Sequence, residues 1–503
     1  MITIVYSTHK NKEYNDKFKT HLINSVGLND VQILEYQNNN QYSLAQVYNS
    51  GITESIYDIV VCCHNDIKLE KNWGIKLLND FTNNPEFGII GKAGSCYFPE
   101  SGVYWERMQQ TMVGQVWHHP DGQNKWINNY SPKLPFIIPV VTIDGLFISF
   151  DKTKIKHKFD ETIGKFHFYD HGFTIPNYLD GVKIGVTSSF EITHQSVGQP
   201  NQEFWDSKEK FLNKYKSILP LDLKPEKVYV PEIKTKGIKI KGKIAIIIPT
   251  KNNLNQLREC VNSFYLYCDK ELFDIFVVDT GSSEENLTEI KNEFVNYNNL
   301  KFIEYNFYNY AIINNDVVKN HLTKNHLYIL FCNDDVKILN DVLTGFLDVI
   351  KNKNKVGTVG ARLHYKDNTI QHDGLQVYID MKSMNVISNH LNKFNYYNYG
   401  NNIKEKIGNT AALMMINKEN FIKEGMFPIG YEHCFEDVHF NLHLVSKGYI
   451  NYTNSNCVAY HYESQTRKVD LERNKMMEDY NKLFFPFFKQ IFEKIKNKIQ
   501  YSN

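Results

Sequence analysis

An acidic run, Asn333-Asp334-Asp335, follows an apolar strand-like segment in the second half of the chain. Carboxylates at the carboxyl edge of a sheet are hard oxygen ligands, so this run predicts a site for Mg²⁺ or Mn²⁺. His461 would complete the ligand set, since imidazole suits Mn²⁺ better than Mg²⁺. Such a cation would act as a Lewis acid towards a diphosphate leaving group. Asp437 would then be the general base that takes a proton from an attacking hydroxyl.

Asp437 has a second interpretation, which the sequence leaves open. It precedes the amphipathic stretch VHFNLHLVSKGY, so it is also suited to be the first-turn acid of a helix. Its neighbour Glu436 would raise the pKa of Asp437 by repulsion, whereas a nearby cation would lower it.

The first half of the chain repeats these residue types. Three pairs of segments align: VCCHNDIKL (61–69) with LFCNDDVKI (330–338), FHFYDHGF (166–173) with HCFEDVHF (433–440), and ITHQS (192–196) with AYHYES (459–464). Asp66 then falls on Asp335, His64 on Asn333, Asp170 on Asp437 and His194 on His461. The first two Asp residues of each set are 104 and 102 residues apart, and the last Asp and the His are 24 apart in both. The repeat predicts a second site, with Asp66 and His194 as metal ligands and Asp170 as base.

The elements that must position these residues follow one pattern in both halves. Apolar, β-branched runs such as ITIVYS, DIVVCCHND, IAIIIPT and LYILFCNDD alternate with longer amphipathic stretches. That alternation predicts an α/β fold, and ligands of such sheets lie beyond the carboxyl ends of the strands. We therefore expect two Rossmann-like domains in tandem, each with a mixed central sheet.

The chain, with 503 residues, is too long for one hydrophobic core. The segment 219–242 is rich in Lys and Pro without a helical period, which indicates a linker. The predicted organisation is thus a domain at 1–218, the linker, a domain at 243–470 and a helical tail at 471–503. Within the tail, 481–499 is aromatic on one side and Lys-rich on the other. Docking on its own domain is favoured over peripheral membrane contact, which stays open.

Composition narrows the partners and the compartment. The net charge of +1 argues against a nucleic-acid partner, and a small anion met by a local site is favoured. No run of about 18 apolar residues and no signal-like start is seen. The eight cysteines show no CxxC or zinc-like spacing, and three of them lie in the strand-like runs VVCCH and LFCND, where a thiol is usually a small buried hydrophobe. A reducing compartment is therefore expected. We expect a cytoplasmic protein, peripheral at the inner face of the membrane if the tail binds lipid.

The second half carries many ordered motifs: IIIPTKNN, VVDTGSSEEN, LYILFCNDDV, VGTVGARLHYKDNTIQHDG and EHCFEDVHFNLHLVSKGY. From 243 to about 467 it resembles family 2 glycosyltransferases of the GT-A fold, especially the branch that builds rhamnan and O-antigen polysaccharides. The resemblance implies nucleoside contacts from Thr250 and Asp279. It also implies a DxD-like motif at Asn333–Asp335, with Asp334 in the nucleotide site, a base at Asp437, and a metal or diphosphate ligand at His461. Thr410-Ala411 departs from the Thr-Gly pair of many relatives, which bears on acceptor placement.

The first half, to about 215, resembles a more divergent glycosyltransferase-2-like family, on the motifs SLAQVYNSGI, VCCHNDIKLEKNW, VTIDGLFISFDK and ITHQSVG. Asp66, Asp170 and His194 are retained, and Thr8, which ends the first strand, is the predicted nucleotide contact. Two departures concern this half: Gly172 replaces a usual second acid, and the second strand lacks the VVDxGS signal.

These resemblances imply a bifunctional, metal-dependent, inverting glycosyltransferase. The donors would be UDP-, GDP- or dTDP-sugars, and the acceptor a glycan or lipid-linked glycan of a capsule, O-antigen or lipooligosaccharide. The main alternative is one active C-terminal transferase with an N-terminal domain that only binds glycan or nucleotide. A sugar nucleotidyltransferase is disfavoured because neither STHKNKEY nor PTKNNLNQ is a Gly-rich, basic first loop. A non-catalytic scaffold would leave the repeated Asp–Asp–His sets unexplained. The aromatic segment 114–126 is either a sugar-binding loop or ordinary packing.

Overall fold

The computed structural model describes residues 1–106, 109–120, 122–234, 238, 240–400, 402–432, 434–462 and 475–502. The chain divides into two units, Met1–Glu226 with Asn395–Asn398, and Lys227–Phe394 with Tyr399–Asn503. Parts of the predicted linker (235–237 and 239), of the predicted tail (471–474 and 503), and of the motifs containing His433 and 463–464 lie outside the described residues.

The first unit alternates strands and helices. Its strands are β1 Ile2–Thr8, β2 Val31–Gln37, β3 Ile59–Cys63, β4 Ile67–Leu69, β5 Phe87–Gly91, β6 Ala93–Ser95, β7 Tyr97–Phe98, β8 Met112–His118, β9 Trp126–Asn129, β10 Ile138–Val140, β11 Thr142–Ile143, β12 Phe147–Asp151, β13 Lys183–Val186, β14 Ile192–His194 and β15 Leu221–Asp222. Its helices are α1 Lys12–Val26, α2 Leu44–Glu54, α3 Trp73–Asn83, α4 Tyr169–Leu179 and α5 Gln202–Tyr215, with 3₁₀ turns at Gln109–Thr111 and Lys216–Ile218.

The central sheet of the first unit is mixed, in the order β10-β13-β5-β12-β3-β1-β2. β1 is parallel to β2 and β3, whereas β12 runs antiparallel between β3 and β5. A second sheet has the order β11-β6-β8-β14-β4, with β9 beside β8, and β15 pairs with β7.

The second unit has the same alternation. Its strands are β16 Lys243–Thr250, β17 Phe273–Asp279, β18 Leu300–Glu304, β19 His326–Cys332, β20 Val336–Ile338, β21 Val356–His364, β22 Ile370–His372, β23 Leu375–Asp380, β24 Val386–His390, β25 Ile403–Lys406, β26 Leu413–Asn417, β27 Ile450–His461 and β28 Gln500–Ser502. Its helices are α6 Leu254–Tyr267, α7 Glu284–Glu293, α8 Tyr310–Asn320, α9 Val342–Asn352, α10 Lys418–Lys423, α11 Glu436–Ser446 and α12 Phe485–Ile495, with 3₁₀ turns at Lys270–Leu272 and Lys496–Lys498 and a π-helical turn at Tyr480–Phe484.

The sheet of the second unit repeats that of the first. Its order is β18-β17-β16-β19-β26-β21-β27-β20, with β22 beside β21 and β25 beside β27. The segment β17-β16-β19-β26-β21-β27 matches β2-β1-β3-β12-β5-β13 in order and in strand direction. The predicted fold class, α/β with a mixed central sheet in each of two tandem domains, is therefore confirmed.

Burial explains why these segments form strands. The central strands read as continuous apolar runs because both faces of the sheet are covered. Ile244, Ile246 and Ile248 face one core cluster, and Ala245 and Ile247 face another, and all five are fully buried. Alternate residues of β16 thus enter opposite layers, and the polar residues are left at the strand ends, where the site lies.

The aromatic side of the predicted tail is buried within the second unit. Phe484, Phe488 and Ile495 pack in one cluster with Val438 and Leu442 of α11. The docked arrangement favoured from the sequence therefore describes 481–499 in the structure. Among the described residues, no helix is long and apolar enough to cross a membrane.

Candidate metal and catalytic centres

Asp335 and His461 meet because β20 and β27 are antiparallel neighbours. Asp335 directly precedes β20, and Val336 pairs with His461 in the sheet. The Nε2 atom of His461 lies 3.2 Å from Oδ1 of Asp335. The strand pairing thus joins two residues that the sequence placed in separate motifs.

Gln371 on β22 fixes the orientation of the His461 ring. Its Nε2 donates to the backbone oxygen of His461 at 3.2 Å, so its Oε1 faces Nδ1 of His461 at 2.7 Å and accepts the proton of that nitrogen. In the neutral ring, Nε2 then carries a lone pair. That lone pair faces Asp335 and accepts from the side-chain amide of Asn333 at 3.3 Å.

These groups fit a divalent cation. Oδ1 of Asp335 is buried and has no hydrogen bond within the described residues, although an uncompensated buried carboxylate oxygen is costly. It faces Nε2 of His461, whose other ring nitrogen donates a hydrogen bond to Gln371. A hydrogen bond at the second ring nitrogen orients a metal-binding histidine.

The predicted nucleotide residues lie at the ends of β16 and β17. Thr250 donates its hydroxyl to Oδ2 of Asp334 at 2.7 Å. Burial raises the pKa of Asp334 to about 6, with a further contribution from the charge of Asp335. The Oδ2 atom of Asp279 accepts from the backbone amides of Gly281 and Ser282, while its Oδ1 is buried without a hydrogen bond within the described residues. Asp279 thus keeps one acceptor for a donor group of a ligand.

Asp437 lies in the first turn of α11, as the helix interpretation predicted. This position does not conflict with its predicted role as the base. Its Oδ2 accepts from the amide of Ala411 at 3.0 Å, and its Oδ1 accepts from the amide of Val438 at 2.7 Å. Loss of hydration raises the pKa of Asp437 in spite of these bonds. A raised pKa makes this carboxylate a better proton acceptor.

The first unit brings its own residues together in the same way. Ile67, which follows Asp66, pairs with His194 across β4 and β14. Oδ2 of Asp66 lies 3.4 Å from Nε2 of His194, and Oδ1 lies 3.9 Å from Nδ1 of His64. Oδ1 of Asp66 is also buried without a hydrogen bond within the described residues. These side chains therefore also fit a cation.

Tyr169 fixes the ring of His64. The Tyr169 hydroxyl donates to the backbone oxygen of Gly145 at 3.1 Å, so it accepts from Nε2 of His64 at 2.9 Å. Nδ1 of His64 is then the nitrogen with the lone pair. Burial lowers the pKa of His64, which favours this neutral form. Burial tends to raise the pKa of Asp66, but hydrogen bonds from His194 and Ser196 hold it well below its usual range.

Asp170, like Asp437, accepts hydrogen bonds from two backbone amides. Its Oδ2 accepts from the amide of Gly145 at 2.9 Å, and its Oδ1 accepts from the amide of His171 at 2.8 Å.

In both units the residue just before the helix that carries this Asp is a phenylalanine with left-handed backbone, Phe168 at φ 61° and Phe435 at φ 77°. A non-glycine residue in this conformation costs about 1–3 kcal/mol, and such strain is concentrated at functional sites.

The residues predicted to contact the nucleotide differ between the units. Gln37 pairs with Thr8 in the first unit, at the register where Asp279 pairs with Thr250 in the second. The Thr8 hydroxyl accepts from Nδ2 of Asn65 at 2.9 Å, whereas Thr250 donates to Asp334. In both units the threonine that ends the first strand forms a hydrogen bond with the residue just before the Asp of the candidate metal centre, but it is the acceptor in the first unit and the donor in the second.

The structure also places Gly172 and the aromatic segment 114–126, two features of the first unit that the sequence singled out. A Cβ atom at Gly172 would lie 2.6 Å from Cδ1 of Ile163, so a second acid would not fit there without a shift. In the aromatic segment 114–126, the exposed ring of Trp126 stacks on His118 with a centroid distance of 5.4 Å, and His118 lies 5.8 Å from the ring of His194. Asp121 of this segment lies outside the described residues.

Sequence reasoning did not assign roles to His64, Gln371 or Tyr169. For His64 a signal was present, since it aligns with Asn333 in the repeat. Gln371 and Tyr169 act on rings that are remote in sequence, and only the folded chain shows those contacts.

Comparison with known proteins identifies a family for each half. Residues 4–215 match the model of the "Glycosyltransferase like family", and residues 245–424 match that of "Glycosyl transferase family 2". A curated relative, uncharacterized protein y4gI of Sinorhizobium fredii (strain NBRC 101917 / NGR234), is 27% identical over 228 residues. The alignment covers 44% of this chain and 25% of the relative, so the chain spans about a quarter of that protein.

Similar solved structures each cover about half of the chain. GalNAc-T7 with UDP, GalNAc and Mn²⁺ has a TM-score of 0.39 at 14% identity, over 53% of this chain and 61% of that one. The mannosyltransferase PcManGT from Pyrobaculum calidifontis with GDP-Man and Mn²⁺ has a TM-score of 0.36 at 14% identity, over 51% and 69%. S. aureus TarS 1-349 has a TM-score of 0.33 at 16% identity, over 51% and 66%.

Proposed function

Because the chain carries two glycosyltransferase family 2-type domains in tandem, we propose that it is a bifunctional inverting glycosyltransferase. Each domain would transfer a sugar from a UDP-, GDP- or dTDP-sugar to a hydroxyl of a growing surface glycan, such as a capsule, O-antigen or lipooligosaccharide. The observation that carries the proposal is the repeated constellation: an Asp beside a His, with one buried carboxylate oxygen that has no hydrogen bond among the described residues, and a second Asp held at a helix start.

Asp335 and His461 would hold the divalent cation in the second unit, and Asp66 and His194 in the first. When bound, that cation would supply Lewis-acid neutralisation of the diphosphate leaving group. Oδ1 of Asp279, which has no hydrogen bond within the part of the chain that the structure describes, would accept one from the nucleoside in the second unit.

Asp437 and Asp170 would each take the proton of the acceptor hydroxyl. Two backbone amides orient each carboxylate, and a further lone pair on each oxygen stays available for the proton. Inversion at the anomeric carbon is the stereochemical outcome that the family resemblance implies.

A second candidate is one active C-terminal transferase with a first unit that only binds glycan or nucleotide. The specific observation in its favour is Gln37, which stands at the register of Asp279 and leaves the first unit without that acid. Cytoplasmic location and contact with the inner face of a membrane, where a lipid-linked acceptor would lie, also stay predictions.

The test is release of nucleotide from a panel of UDP-, GDP- and dTDP-sugars with Mn²⁺ and glycan acceptors. Asp170→Asn and Asp437→Asn keep the side-chain shape and remove the base, so each is expected to lower turnover of a different donor about 10²–10⁴-fold. Exposed Glu289→Gln is the matched charge-removing control.

Three outcomes separate the candidates. Loss of one donor's turnover in each variant supports two active domains. If Asp170→Asn leaves the turnover of every donor intact, the first unit is a binding module. If no donor turns over with any acceptor in the wild-type chain, the transferase proposal fails.

A further inference from the structure

The two candidate metal centres differ by one residue type. His64 lies two residues before Asp66 in the first unit, and Asn333 lies two residues before Asp335 in the second. We propose that His64 is a third metal ligand of the first unit and gives it a stronger preference for transition-metal cations over Mg²⁺ than the second unit has. The inference rests on the proposed function only in assuming that both units bind a cation.

The distances in the first unit suit three ligands to one ion. Two atoms bound to the same ion at about 2.1 Å are at most about 4.2 Å apart. Oδ2 of Asp66 lies 3.4 Å from Nε2 of His194, and Oδ1 of Asp66 lies 3.9 Å from Nδ1 of His64. One ligand atom from each of the three residues lies within 4.8 Å of the other two. A small side-chain adjustment therefore brings all three to one centre.

The hydrogen bonds around His64 leave its Nδ1 with a lone pair that can bind a metal. Its Nε2 proton is donated to Tyr169, whose own proton goes to the backbone oxygen of Gly145. Nδ1 therefore faces Asp66 with a lone pair. A ligand with its second nitrogen fixed in this way is pre-oriented for a metal.

Asn333 makes a different contribution in the second unit. Its Nδ2 lies 3.3 Å from Nε2 of His461, whose other nitrogen donates to Gln371, so the amide acts as a donor. Within the described residues, Asp335 and His461 are not joined by a third His, Cys, Asp or Glu at ligand spacing, as Asp66 and His194 are by His64.

The difference in donor atoms predicts a difference in selectivity. Mg²⁺ prefers an all-oxygen, largely hydrated shell, whereas imidazole nitrogen favours the later first-row divalent ions. Two imidazoles and one carboxylate therefore favour Co²⁺ over Mg²⁺ more strongly than one imidazole and one carboxylate do.

The experiment measures binding of Co²⁺ and of Mg²⁺ alone to the full chain by titration calorimetry, without a sugar donor. Asp335→Ala isolates the first centre, and His64→Asn is added to it. Loss of an outer-shell partner commonly costs about 10–100-fold in metal affinity, so loss of a direct ligand is expected to weaken Co²⁺ binding at least about 10-fold. Mg²⁺ binding should change less, and circular dichroism checks that the fold is retained.

The reciprocal exchange keeps the test decisive if His64→Asn does not fold. In the Asp66→Ala chain, Asn333→His is expected to raise Co²⁺ affinity of the second centre relative to Mg²⁺. Unchanged Co²⁺ affinity in folded His64→Asn or Asn333→His chains, or no Co²⁺ binding by the Asp335→Ala chain, overturns the proposal. Nucleotide release is assayed separately: intact Co²⁺ selectivity without turnover of any donor overturns the proposed function alone.

Discussion

At the scale of single residues, the raised pKa of Asp334 predicts that an amide at this position would stabilise the fold more at neutral pH. Its folded pKa of about 6 exceeds the ordinary 3.8, so between these values the folded state keeps a proton that the unfolded chain has lost. Stability therefore falls as pH rises through this window. We expect Asp334→Asn to be nearly neutral at pH 4 and stabilising at pH 7.5 by at most about 3 kcal/mol, measured by urea unfolding with EDTA.

The first unit supplies the matched control for this prediction. Asn65 occupies the corresponding position and donates to Thr8, so Asn65→Asp should destabilise the chain at pH 7.5 and much less at pH 4. An Asp334→Asn effect that does not depend on pH would contradict the assignment of the raised pKa.

Gln371 is a positioning residue for His461 in the second unit. Gln371→Leu removes the acceptor of Nδ1, so the ring loses its fixed tautomer and metal affinity should fall about 10–100-fold. The measurement is Mn²⁺ binding in the Asp66→Ala chain. Gln371→Glu retains an acceptor and should restore most of the affinity, whereas equal loss in both variants would indicate a merely structural role.

At the scale of elements, α12 supports the helix that carries Asp437. Phe484, just before α12, is fully buried and its ring lies 4.8 Å from that of Phe435, the residue that precedes α11. Phe484→Ala should destabilise the second unit by about 3–5 kcal/mol and lower its donor turnover. Thermal unfolding checks the first effect, with the exposed Gln490→Ala as control. Binding of wild-type chain to anionic vesicles with unchanged stability would instead favour a tail that leaves the domain.

The strands and the Asp–His spacing could be predicted because they depend on local pattern. Apolar runs that end in polar residues indicate the carboxyl edge of a sheet, and the repeat pairs Asp66 with Asp335 from spacing alone. The left-handed conformation of Phe168 and Phe435 could not be predicted, since aromatic side chains do not favour it and only the surrounding packing imposes it. The antiparallel pairing that joins Asp335 to His461 is likewise a tertiary contact.

At the scale of the whole molecule, the two units repeat one sheet order and one arrangement of site residues within a single chain. Their second sheets differ, and so do the strand ends predicted to contact the nucleotide, where Gln37 stands at the register of Asp279. Retention of the Asp–His pair beside a changed strand-end residue is what the proposal of two active domains with different donors predicts.

This arrangement predicts two Mn²⁺ ions per chain, one in each unit. The bound Mn²⁺ is measured as the loss of the free Mn²⁺ signal in electron paramagnetic resonance. We expect two bound equivalents for the wild-type chain, one each for Asp66→Ala and Asp335→Ala, and none for the double variant. A ligand that binds only the folded state stabilises it by mass action. Mn²⁺ at 100 times its Kd should therefore add about 2.7 kcal/mol to the free energy of unfolding of a unit whose centre is intact. If the wild-type chain binds a single equivalent that only Asp335→Ala removes, the carboxylate and imidazoles of the first unit hold no ion. The first unit would then keep the geometry of a metal centre without binding a metal.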